Sequence, residues 1–126
     1  MLSYWNGFLK KDGYVAVTDA SWFTDERPAE IEKFWTDMGC VLNTVGHNIL
    51  IMQRCGYVPA AAFILPEYCW TENYFVPRTA AEQSFEEKHI GNKIVEEYIE
   101  SSKCEVELYS KYKQYYGYAF YIGRKL

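Results

Sequence analysis

Apolar positions along this chain switch between a helical and a strand-like spacing, and the switches mark the elements. Over residues 2–9, Leu2, Trp5 and Leu9 fall on one side of a helix. Asp12-Gly13 then reads as a turn, and Tyr14-Val15-Ala16-Val17-Thr18 as a strand. From Pro28, a residue suited to the first helical position, Ile31, Phe34, Trp35 and Met38 recur at i, i+3, i+4 and i+7. A helix is expected there, with Gly39 as its stop. Thr44 can cap another helix that carries Val45, Ile49 and Met52 on one face and ends at Cys55-Gly56.

Residues 57–65 are nearly all apolar after Pro59. Such continuity predicts a strand covered on both faces, with Pro59 confined to its beginning or to an edge. Residues 66–77 form an aromatic connection too polar for plain core. A helix is expected over 79–88, breaking at Gly91, and a long one over 92–115, with Glu early and Lys late. Glu107 and Lys111 make a favourable i,i+4 pair within it. Gly117 is expected to close this helix, before a short strand over 118–122 and a basic exit, Gly123-Arg124-Lys125. The order predicts an α/β fold of one domain, residues 1–126, with three strands and helices on both sides. Strand one has no upstream neighbour and would expose a hydrogen-bonding edge.

Composition narrows the chemistry. A net charge of -4 argues against nucleic acid, which selects a basic footprint. The Tyr/Lys mixture over 109–116 is balanced by Glu100, Glu105 and Glu107 on the same predicted helix, so it reads as a solvated face. Cys40, Cys55, Cys69 and Cys104 are far apart and fit neither a zinc site nor a redox dithiol. Reduced thiols in the cytoplasm are the simplest reading, and no apolar run is long enough for a membrane span. Neither GxGxxG, GxxxxGK[ST] nor G-x-S-x-G occurs. His47 lies in a predicted helix's first turn, and His89 near a helix end, where a basic residue is expected.

Asp19 ends the first strand, where ligands of open α/β sheets gather, although turn or capping chemistry explains it equally well. An aromatic fraction of 18% means core at most positions, yet also suits a pocket for a flat organic ligand. Trp22 and Phe23 in a polar segment, and Trp70 and Tyr74 in the later connection, are candidates for an aromatic wall; helical spacing explains Trp35 by packing.

Several segments in order carry a family resemblance. Phe8-Leu9-Lys10-Lys11-Asp12-Gly13-Tyr14-Val15-Ala16-Val17 resembles the L-K-P-G-G-hydrophobic element of class I S-adenosylmethionine-dependent methyltransferases, which joins their fourth helix to their fifth strand. Gln53-Arg54-Cys55-Gly56-Tyr57 resembles the entry to their sixth strand, and Tyr118-Ala119-Phe120-Tyr121-Ile122-Gly123-Arg124-Lys125 their seventh. Ser21-Trp22-Phe23-Thr24-Asp25-Glu26-Arg27-Pro28, Ile64-Leu65-Pro66-Glu67 and Cys69-Trp70-Thr71-Glu72 are similar to a bacterial small-molecule branch of type 11 character. The resemblance covers the family's C-terminal half. It implies a last strand inserted antiparallel between the other two, a small-molecule methyl acceptor near Ser21, Trp22, Phe23, Trp70 and Tyr74, and S-adenosylmethionine as donor. The glycine-rich loop, the acidic ribose ligand and the adenine-flanking residues belong upstream in the family, so donor binding by this chain alone is not expected. Asp12 stands where the turn usually has its first Gly.

Two readings of function follow. The chain supplies the acceptor side of a methyltransferase and needs a missing N-terminal half, or it is a non-catalytic binding or dimerisation module. Both predict self-association or a partner through the open edge.

Overall fold

The computed structural model describes residues 1–126, which divide into two compact units. The first unit comprises Met1–Leu65 and Gln114–Leu126. It contains α1 (Leu2–Asn6), β1 (Tyr14–Trp22), α2 (Ala29–Asp37), β2 (Asn43–Thr44), α3 (Val45–Arg54), β3 (Tyr57–Ile64) and, from the end of the chain, β4 (Tyr116–Lys125).

The sheet has four strands in the order β2-β1-β4-β3, one more than the pattern predicts. β4 lies antiparallel between β1 and β3, as the resemblance implies. The extra strand, β2, is only two residues long and pairs parallel with Ser21 and Trp22. A strand this short has no periodicity to read. β3 is an edge strand rather than one covered on both faces: Phe63 and Ile64 remain exposed, and Pro59 stands at a register shift, where a missing amide costs least.

Two further boundaries differ from expectation. β1 runs on past Asp19 to Trp22, which takes Ser21 and Trp22 out of the predicted polar segment and into the strand. Gly117 does not close a helix but lies within β4, opposite Ser21. Its missing side chain makes room for Phe23, since a Cβ there would stand 2.7 Å from the ring.

α1 and α3 cover one sheet face, where Met52, Tyr57, Ala119 and Tyr121 form the core with Val15. Thr44 caps α3 by accepting from the His47 amide at 3.1 Å, as expected. Lys125 donates to the carbonyls of Asn6 and Leu9 at 2.6 and 2.8 Å, so the basic exit holds the end of α1. α2 buries Ile31 fully and brings Trp35 against Tyr116.

The second unit, Pro66–Lys113, is entirely helical. α4 (Glu67–Trp70) passes through a π-helical turn (Thr71–Phe75) into α5 (Val76–Lys88), and α6 (Lys93–Tyr112) follows. The expected aromatic connection is therefore helical. Pro77 falls in the first turn of α5, where its missing amide does no harm. The Asn92 side chain caps α6 by accepting from the Ile94 and Val95 amides.

Candidate functional site

In the first unit a cavity of about 420 Å³ lies between α1, β1 and α3. Its apolar lining includes Leu2, Trp5, Val17, Ile51 and Met52. Its polar lining includes Asp19, Asn43, Asn48 and Tyr121. Strand alternation accounts for the placement. Val15 and Val17 pack into the core on the helix-covered face, and Asp19 and Ser21 follow at the same period of two.

Ser21 is fully buried, and its hydroxyl bonds the Tyr121 hydroxyl at 2.6 Å. Asn48 donates to both, at 3.2 and 3.1 Å, and accepts from the Asn43 amide at 3.3 Å. The cluster thus joins β1, β2, α3 and β4 without leaving a buried polar side chain unsatisfied. Asp19 lies beside it with an exposed side chain. Partial burial raises its pKa above the usual carboxylate value, opposed by a hydrogen bond with the Ala20 backbone.

The other expected site residues have distinct surroundings. Trp22 is 2% exposed, edge-on to Tyr116, with the Arg27 guanidinium 5.5 Å from its ring centre. Phe23 is half-buried against Gly117. In the second unit, Trp70 is buried and stacked flat on Tyr109, with ring centres 5.0 Å apart. Tyr74 keeps a partly exposed ring, 4.9 Å from the Arg78 guanidinium.

Arg78 is the charged centre of that unit. It donates to Glu105 at 2.9 Å and to the Ser102 carbonyl at 3.3 Å, and forms an ion pair with Glu82 at 3.2 Å. Burial works against its charge, but the bonds with Glu105 and Tyr74 outweigh that, and its pKa is raised. Asn43, Asn48, Tyr121 and Arg78 escape sequence reasoning because no spacing motif joins them. Only the fold brings positions 21, 43, 48 and 121 together.

The sequence matches no family model and no curated protein. Solved structures do match, at the level of fold. A phosphoethanolamine N-methyltransferase 2 from Haemonchus contortus, in complex with phosphomonomethylethanolamine and S-adenosylhomocysteine, is 11% identical with a TM-score of 0.71. The match covers 98% of this chain and 29% of that one. A Galdieria sulphuraria protein assigned as a sarcosine dimethylglycine methyltransferase is 14% identical with a TM-score of 0.73, over 98% of this chain and 46% of the other. A Geobacter sulfurreducens S-adenosylmethionine-dependent methyltransferase bound to S-adenosylhomocysteine is 12% identical with a TM-score of 0.68, over 94% and 48%.

The chain therefore has the fold of part of a class I methyltransferase and spans about half or less of the length of these structures. The positive-φ glycines, Gly39, Gly56 and Gly91, all follow helix ends, and none opens a helix after a strand.

Proposed function

We propose that this chain forms the acceptor side of an S-adenosylmethionine-dependent methyltransferase acting on a small molecule, with the donor held by a polypeptide segment seated against β1. The free edge of β1 carries this reading. Its outer side pairs with β2 only at Ser21 and Trp22, which leaves residues 14–20 without a neighbour there. The sheet face away from α1 and α3 is also poorly covered, with Tyr14, Ala16, Thr18 and Phe63 exposed. An aromatic and β-branched edge of this length in water is a strand-docking surface.

Asp19 and Phe23 are the acceptor contacts proposed for the first unit, backed by the buried Ser21 and Trp22; Tyr74 is the one proposed for the second, backed by the buried Trp70. The similar structures that carry methyltransferase names support the reaction class, and one of them holds phosphomonomethylethanolamine. The chain's contribution would be to position the acceptor, which supplies much of the rate in an in-line transfer. A non-catalytic dimerisation module is the second reading, because the same edge could pair with a second copy.

Calorimetric titration of the folded chain with S-adenosylhomocysteine tests the division of labour. No binding at micromolar concentration is expected. Micromolar binding would put a donor pocket within this chain or its oligomer and overturn the proposal.

A further inference from the structure

We propose that the cavity between α1, β1 and α3 binds a small organic cation, an ammonium group on a compact apolar body, with Asp19 as its counter-ion. Its volume, about 420 Å³, lies in the range of small-ligand pockets. The lining is divided as such a ligand requires. Leu2, Val17 and Met52 offer an apolar floor, Trp5 an aromatic wall, and the polar residues gather near Asp19.

The hydrogen-bond accounting identifies the charge that is wanted. The Asn48 amide is spent on Ser21, Tyr121 and Asn43, and the Ser21 and Tyr121 hydroxyls on each other. That network is neutral, and the Ser21 hydroxyl also reaches the Asp19 backbone carbonyl at 3.2 Å, leaving the Asp19 carboxylate outside it. Asp19 is the one carboxylate lining the cavity and forms no ion pair. The cavity contains no lysine or arginine; the chain's terminal ammonium, on Met1 at its rim, forms no ion pair with Asp19. A cation entering it would gain a carboxylate partner and an aromatic face without breaking an existing pair.

The inference deepens the acceptor-side reading and rests on it for the ligand's role as acceptor; binding itself needs only the first unit. The test uses phenethylammonium as probe and 2-phenylethanol as its neutral counterpart, titrated into the full chain and followed by tryptophan fluorescence and calorimetry. The cation should bind saturably and about fivefold or more tightly than the alcohol, with the preference weakening as salt rises. Asp19→Asn, at an exposed position, should remove the preference and leave alcohol binding unchanged. Equal binding of the two probes, a preference that survives Asp19→Asn, or no saturable binding would overturn the inference. Such failure with no binding of S-adenosylhomocysteine leaves the acceptor-side reading standing. Cation selectivity together with micromolar S-adenosylhomocysteine binding would sink that reading and keep the site.

Discussion

Asp12 takes a left-handed backbone, φ 62°, in the turn that leads into β1. Asp tolerates this conformation better than most residues, and Arg124 pairs with its carboxylate across the turn. The same economy governs the glycines of β4. A Cβ at Gly123 would stand 2.7 Å from the Met52 sulfur and 3.1 Å from the Tyr57 Cβ, both buried. Gly123→Ala should therefore cost about 1–3 kcal/mol in a denaturant titration, as overpacking does. Gly117→Ala should cost less, because the half-buried Phe23 ring can swing aside. Asp19 behaves differently. Burial raises its folded-state pKa, so its contribution to stability is fully present below its ordinary value of 3.8 and is lost as pH rises through the folded value. Asp19→Asn should thus melt above wild type near neutral pH, and the gain should vanish on acidification below that ordinary value. A gain independent of pH would show that the carboxylate charge is not its cause.

Helix α5 buries no residue fully, and it meets α6 through polar contacts centred on Arg78. The side chains of Arg78, Glu82 and Glu105 are only 15%, 13% and 14% exposed, so solvent screens them poorly. Removing the cation would leave two carboxylates facing each other in a half-dry site. Arg78→Ala should destabilise the second unit by about 3–5 kcal/mol, readable as early loss of helical signal on heating, while Arg78→Lys should recover only part. Thr44→Ala, which removes the α3 cap, should cost about 1 kcal/mol. These elements also mark where the sequence was readable. Repeated apolar spacing with a cap and a glycine located α2 and α3, and the family likeness gave β4 its central place. Gly117 misled because glycine serves equally as a helix stop and as a gap for a neighbouring ring, and only the Phe23 contact decides. β2 and the π-helical turn are specified by pairing and packing, not by local pattern. The candidate site was half visible: Asp19 and Ser21 follow from strand parity, whereas Asn48 and Tyr121 join them only through the fold.

On the scale of the whole molecule, the sheet of the first unit has one side unfinished. Phe23 donates its amide to Tyr115 in the ladder with β4, so along β1 the odd-numbered residues turn their backbone groups toward β4. The even-numbered residues from Tyr14 to Ala20 turn theirs outward. The same even positions carry Tyr14, Ala16 and Thr18 on the exposed sheet face, so an incoming strand and whatever covers that face would arrive together. A net charge of -4 on a chain of 14.8 kDa is too small to keep such edges apart. Without a partner, the chain should self-associate through β1. Sedimentation velocity at tens of micromolar, roughly the range where weak interfaces populate, should show species heavier than 14.8 kDa that dissociate on dilution. Ala16→Lys places a charge beside the outward amides without touching the β4 ladder, and it should restore the monomer. A substituted chain that still associates would locate the contact away from β1 and remove the support that the free edge lends to the proposed function.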